Sequence, residues 1–129
     1  MTRAKKTSWV LCISIILMLL SSIVTMAIQT SFGKVSVTEI NWETTTGNTM
    51  NGWLFVPDTA KNPAPAIVVS HGMYNNKGMQ DLNFVELSRR GYVVLAQDMP
   101  NHGDSENVES LGTVTMGLYE SVKVLANMN

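Results

Sequence analysis

Two short stretches hold the residue types able to do chemistry. Ser70-His71-Gly72-Met73 closes an apolar run that begins at Pro65. Asp98-Met99-Pro100-Asn101-His102-Gly103-Asp104-Ser105 follows a second apolar run, Gly91–Ala96. A β-branched run that stops abruptly at His-Gly reads as a buried strand with a loop at its carboxyl end, where open α/β sheets place their sites. Gly72 lets the main chain approach a ligand closely. The second stretch reads as a loop shaping the floor of such a site. Asp, Asn, Gly and Ser are all turn formers, and turn chemistry accounts for them without direct catalysis.

Neither serine looks like a nucleophile. Ser70 lies inside a strand, Ser105 lies in a turn-rich loop, and neither stands in Gly-x-Ser-x-Gly. His71, His102, Asp98 and Asp104 make weak metal ligands, because His102-x-Asp104 is poor ligand spacing. No metal and no cofactor is expected. Cys12 is the single cysteine and sits in an apolar segment, so a disulfide, a Cys-based zinc site and a Cys nucleophile are all excluded for the rest of the chain. Residues 29–129 carry six Lys/Arg against ten Asp/Glu. That mildly acidic balance gives no footing for nucleic acid, which needs a basic face.

The elements that must position these loops can be read from periodicity. Lys34–Trp42 alternates apolar and polar residues, Thr46-Gly47-Asn48 is a turn, and Met50–Val56 is a second strand, which makes a hairpin. Prolines 57, 63 and 65 break pairing before the Ala66–Ser70 strand. That strand and Tyr92–Ala96 are continuous apolar runs, as expected where both faces are covered. Between them lies a helix that Asp81 can cap, with Leu82, Val85 and Leu87 inward and Arg89-Arg90-Gly91 as its stop. Thr115–Met128 reads as a further helix with Leu118, Val122 and Leu125 on one face. Met50, Met79, Met99, Met116 and Met128 read as core filler.

The front of the chain is different in kind. Trp9–Ile28 is twenty residues without a charge, behind Arg3, Lys5 and Lys6. At 1.5 Å per residue it spans about 30 Å, the thickness of a bilayer's hydrocarbon core. The basic flank places the N-terminus in the cytoplasm and the body outside. A cleaved signal peptide with Thr25-Met26-Ala27 as the cleavage site is the competing reading, and it makes the protein secreted. The expected division is a basic tail over 1–8, an anchor over 9–28, a linker over 29–33 and a body over 34–129.

The order hairpin, strand, helix, strand, helix, with Ser-His-Gly after one strand and Asp-x-Pro-x-His-Gly-x-Ser after the next, resembles the N-terminal half of an α/β-hydrolase. The passage Leu87-Ser88-Arg89-Arg90-Gly91-Tyr92-Val93-Val94 is similar to exported or anchored bacterial esterases and dipeptidyl-peptidase-like hydrolases. The resemblance covers roughly residues 34–129. It implies an α/β fold in which one oxyanion-hole donor is the backbone N–H of Met73, with Tyr74 as second choice. His71 then holds the loop, and Gly72, Asp98, His102, Gly103 and Ser105 shape the site. Asn101 stands where the family usually has Gly, a mild departure because Asn tolerates left-handed geometry.

The resemblance also implies that the nucleophile, acid and base follow the segment present here. The expectation is therefore a partial hydrolase, inert by itself. Its parent cleaves a small ester or peptide-like substrate with a serine, and its nearest partner is the lipid bilayer. The contrasting expectation is a non-catalytic interaction module tethered to the membrane, and an activated-serine probe separates the two.

Overall fold

Apolar–polar alternation on both sides of a Gly-containing turn makes the first two strands a hairpin. The structure is a computed structural model that describes residues 3–61, 63–109 and 111–128, with side chains outside 3–6 and 111–118. Strand β1 runs Val35–Glu43 and β2 Thr49–Pro57. Gly47 supplies the left-handed turn residue, at φ 79°. Next come β3 (Ala66–Ser70), a 3-10 turn (Lys77–Gln80), α2 (Asp81–Arg89), β4 (Val93–Gln97) and α3 (Leu111–Asn127). Helix α1 (Arg3–Gln29) precedes them all.

The four strands form one sheet in the order β1-β2-β4-β3. β2 pairs antiparallel with both β1 and β4, while β3 and β4 are parallel and joined through α2. This is the hairpin followed by a parallel βαβ unit that the sequence suggests. Ser70 lies level with Gln97, and Gln97 with Gly52, so the loops after β3 and β4 leave from one edge, the carboxyl edge of the sheet.

Residues of β4 alternate between two cores. Val94 and Ala96 join Val35, Phe55, Phe84 and Val85 beneath α2, and Val93 and Leu95 join Trp42, Met50, Ala64 and Leu125 beneath α3. Phe84 stacks on Phe55 at 4.6 Å and meets Trp53 edge-on at 6.2 Å between centroids. Gly52 lets β2 pass close to β4, since a Cβ there would stand 2.9 Å from Ala96 O.

Several readings change at the level of side chains. Leu82 is exposed and Phe84 takes the inward place, with Val85 and Ser88 beside it. Asp81 does not cap α2; its carboxylate accepts from Leu82 N in the first turn, and Asn76 caps the preceding 3-10 turn through Gly78 N. Phe84, Val85 and Ser88 make one i, i+1, i+4 face, and at 100° per residue Leu82 falls off it. Met50 is buried, but Met79 and Met128 are exposed. On α3, Ser121 and Leu125 point inward and Val122 outward. Leu118 and Met116 lie outside the described side chains. β3 is half-buried along its middle, and β4 is buried throughout.

Helix α1 is exposed on every side along its apolar stretch. It ends in a tight turn in which Ser31, Phe32 and Gly33 all take positive φ. Phe32 N donates to Ala27 O, and Val35 N donates to Thr30 O at 2.9 Å. Arg89, at the end of α2, donates to Ile28 O at 2.7 Å and to Ser31 Oγ at 2.9 Å. These bonds satisfy carbonyls that a helix end leaves without partners.

Candidate active site

Strand β4 runs directly into Asp98, whose side chain is fully buried. A carboxylate in that position requires partners, and the loops after β3 and β4 supply them. Asp98 Oδ1 accepts Lys77 N at 2.6 Å, and Oδ2 accepts Lys77 Nζ at 2.7 Å and Asp104 N at 2.9 Å. Lys77 Nζ also reaches Asp104 Oδ2 at 2.5 Å and lies 5.2 Å from the centre of the Trp53 ring.

Burial alone would raise the Asp98 carboxyl, but the Lys77 hydrogen bond and the two backbone N–H donors outweigh it. Asp98 therefore titrates below the usual carboxylate range. Burial alone would likewise lower Lys77. Its hydrogen bonds to Asp104 and Asp98 win, and its ammonium titrates above the ordinary value. The pair is charged across the physiological range and clamps the loop after β3 to the loop after β4.

Other ties fix the second loop. Ser105 Oγ donates to Asp98 O at 2.8 Å and accepts from Asn51 N at 2.9 Å, and Glu106 N donates to Thr49 O at 2.9 Å. Gly103 has φ 52°, and a Cβ there would run into the Asp98 carboxylate. Asn101 takes the left-handed conformation, φ 67°, and its side chain accepts from Val108 N.

The two histidines are joined to main chain on both ring nitrogens. His71 Nε2 accepts from Met99 N at 3.1 Å while Nδ1 faces Gly72 O at 2.8 Å. His102 Nε2 accepts from Tyr74 N at 3.4 Å while Nδ1 faces Pro100 O at 3.0 Å. In this geometry Nε2 of each ring is placed as the acceptor and Nδ1 beside a carbonyl. The rings sit 5.0 Å apart. Each histidine binds one loop to the other, and among the described residues neither is hydrogen-bonded to a serine hydroxyl.

Tyr74 has φ 64°, unusual for a bulky residue, and this turn aims its N–H at His102. The Met73 N–H is left without an acceptor among the described residues, on a residue that is 76% exposed. Met73 lines a cleft of about 280 Å³ together with His71, Gly72, Met99, Pro100, Asn101 and His102. Such an N–H is able to donate to an anionic oxygen. Among the described residues no three His, Cys, Asp or Glu converge as metal ligands.

The site residues read from the sequence thus gather at one edge, His71 to Tyr74 on one lip and Asp98 to Ser105 on the other. Lys77 was not singled out, although it joins the two. A lone lysine in a polar loop gives no sign of its partner, which lies 21 residues away in sequence.

A family model described as acetyl xylan esterase matches residues 20–123. The chain belongs to that family. Among solved structures, an esterase of Pyrococcus furiosus aligns with a TM-score of 0.62 at 22% identity, over 72% of this chain and 35% of that one. A hypothetical protein of Pseudomonas aeruginosa aligns with a TM-score of 0.61 at 24% identity, over 72% and 31%. An α/β-hydrolase of Penicillium sp. sh18 gives 0.59 at 20% identity, over 68% and 31%. These likenesses show the α/β-hydrolase fold, and the family member described here spans about a third of the length of those structures. None of the curated proteins matches the chain.

Proposed function

We propose that this chain forms the front part of a membrane-anchored serine hydrolase that cleaves small esters, and that the backbone N–H of Met73 is one of its oxyanion donors. The single observation that carries the reading is the Met73 N–H, unpaired at the cleft mouth while its neighbour Tyr74 is engaged by His102. In ester cleavage, negative charge grows on the carbonyl oxygen as the tetrahedral intermediate forms. A donor held in place beforehand stabilises that charge without reorganising, and losing one such donor costs about 2.7–4 kcal/mol. Lys77, Asp98 and His71 hold the donor; they do not touch the reacting atoms.

The attacking group is not found among the described residues. Ser105 is buried and spends its hydroxyl on Asp98 O, and Ser70 has no base within hydrogen-bond reach. A serine needs such a base to attack. The nucleophile, acid and base of the parent activity are therefore not assigned to any of the described residues. Membrane attachment through residues 9–28, with the body outside the cytoplasm, is supported by the exposed apolar helix and its basic flank.

Two measurements test this. The purified 129-residue chain is expected to show no labelling by an activated-serine fluorophosphonate and no turnover of p-nitrophenyl acetate above a Ser70→Ala control. Labelling abolished by that substitution refutes the assignment. In a family member with a complete triad, the residue aligned with Met73 is expected to tolerate Ala. Pro there should lower kcat by about a hundredfold or more, because it removes the N–H.

A further inference from the structure

The direction of α1 relative to the cleft has a consequence for what the cleft faces. The end of α1 is fixed at the amino edge of the sheet: Thr30 O receives Val35 N where β1 begins, and Ile28 O and Ser31 Oγ receive Arg89 where α2 ends. One turn earlier, Met26 lines a pocket with Trp53, Phe55 and Phe84, and Trp53 is paired with Ala96 near the carboxyl edge. Thr25, Ile28 and Gln29 share a groove of about 420 Å³ with α2, whose first residues follow the loop after β3. Both helices therefore run from the carboxyl edge toward the amino edge. With Ile28 held by Arg89 and nine residues in α2, α1 draws level with the start of α2 near Leu20, and the remainder, Thr7 to Leu19, projects past the carboxyl edge by about 20 Å at 1.5 Å per residue. A bilayer around that segment lies over the edge that carries the cleft.

The side chains at that edge agree. Met73 is 76% exposed, Tyr74 91%, Met79 62% and Leu82 82%. Leu82 is the residue that departs from the inward stripe of α2, and it borders the groove shared with α1. Four large side chains of this kind along ten residues form a patch that water does not favour and a lipid interface does. The charged residues of the same edge are acidic: Asp81, Glu106 and Glu109 are exposed, and Asp104 is matched by Lys77. They fit a zwitterionic leaflet and oppose an anionic one.

We propose that the carboxyl edge of the sheet rests on the zwitterionic lipid surface from which α1 emerges, with Met73, Tyr74, Met79 and Leu82 in the headgroup region and the cleft mouth opening toward the leaflet. The proposal rests on the reading of α1 as a membrane anchor. The turn after α1 and Arg89 hold this orientation, so the body is mounted rigidly instead of hanging on a loose link.

The test uses the full chain with Cys12→Ser, carrying single cysteines at Met73, Leu82 or Asp58, in phosphatidylcholine vesicles. Asp58 N donates to Lys34 O at the amino edge, and Asp58 is exposed, which makes it the reference. A charged, water-soluble thiol reagent is expected to modify Met73→Cys and Leu82→Cys roughly tenfold more slowly than Asp58→Cys. A bimane probe at Met73 or Leu82 is expected to be quenched by nitroxide-bearing lipid, and less so once phosphatidylglycerol is added. Equal modification rates at all three positions, in a chain that still resists carbonate extraction, overturn the proposal and leave the anchor standing. Release of the chain by carbonate overturns the anchor, and the proposal with it.

Discussion

β3 and β4 look alike as sequences and differ as strands. Ala66-Ile67-Val68-Val69-Ser70 and Val93-Val94-Leu95-Ala96-Gln97 are both short, apolar and uncharged. β4 lies between β2 and β3 and is buried at every residue; β3 has β4 on one side only and is exposed at both ends. Their exits differ in the same sense. β4 delivers Asp98 into a buried clasp of three donors, and β3 delivers Ser70 to an exposed position with Gly72, Met73 and Tyr74 beyond it. An apolar run records the environment a strand is suited to. Which neighbours it meets depends on the rest of the sheet.

The largest effect expected from breaking this contrast is at Asp98. Asp98→Ala leaves the Lys77 ammonium, Lys77 N and Asp104 N without their shared acceptor. Removing one partner of a buried pair costs about 3–5 kcal/mol. Urea titration of the full chain in detergent, followed by tryptophan emission, is the measurement. A change below about 1 kcal/mol would show that the clasp does not hold the loops.

The same clasp sets a pH window. Asp98 is depressed on folding, so its contribution is complete above the ordinary carboxylate value and is lost as pH falls through its lower folded value. Lys77 is raised, so its contribution is complete below the ordinary lysine value and is lost as pH rises through its higher folded value. Stability is expected to be flat between these limits. In Lys77→Met the acid loss should begin at higher pH, because Asp98 then lacks the charge that holds it down.

The next effect tests the two strands directly. Leu95 is fully buried in β4, and Leu95→Ala is expected to cost about 2–5 kcal/mol in the same titration. Val68, level with Leu95 on β3, is half-buried, and Val68→Ala is expected to cost about 1 kcal/mol or less. Equal costs would mean that β3 is covered as completely as β4.

Much of this was legible in the residues, for reasons that also mark where legibility ends. The hairpin, both parallel strands and α2 follow from periodicity and from Gly and Pro stops, which are local signals. The gathering of His71, Gly72, Asp98 and His102 follows from the βαβ order, since both loops must leave one edge. The outward turn of Leu82 was not legible, because Phe84, which takes the inward face, meets Phe55 and Trp53 of a strand remote in sequence. Lys77 was hidden because a loop lysine is ordinarily solvated, and only the folded sheet brings Asp98 to it. Tyr74 at positive φ belongs to the same class: its residue type does not announce the turn, and its N–H partner, His102, lies 28 residues away.

Gly103 carries a smaller expected effect on the β4 side. An added methyl meets the Asp98 carboxylate at a backbone conformation that already disfavours a side chain. Gly103→Ala is expected to cost about 2 kcal/mol. Amide exchange should rise at Asp104 and Lys77, whose N–H groups Asp98 accepts, before it rises in the hairpin. Uniform loosening of the whole sheet would place the strain elsewhere.

The smallest effect on folded stability, and the sharpest on association, belongs to the open side of β3. One side of that strand presents main-chain groups with no partner strand among the described residues, in a β-branched, uncharged run. Such edges recruit other chains, and proteins commonly blunt them with lysine. Pro65 guards the start of the strand but not its middle. The body without α1, residues 29–129, is therefore expected to aggregate at micromolar concentration, and its exposed Ala66 is the place to interfere. Ala66→Lys adds a charge at an exposed edge position without entering either core, so its urea midpoint in the full chain should stay within about 0.5 kcal/mol of the parent. Light scattering of residues 29–129 should nonetheless rise several-fold more slowly in the variant. Asp58→Lys, which alters net charge by one unit more but lies away from the edge, should not reproduce the delay. If it does, the delay is not specific to the β3 edge and that edge is not the recruiting surface. A sharp cooperative melt of monomeric 29–129, with slow exchange across Ile67–Val69, would go further and show that β3 is as secure as β4.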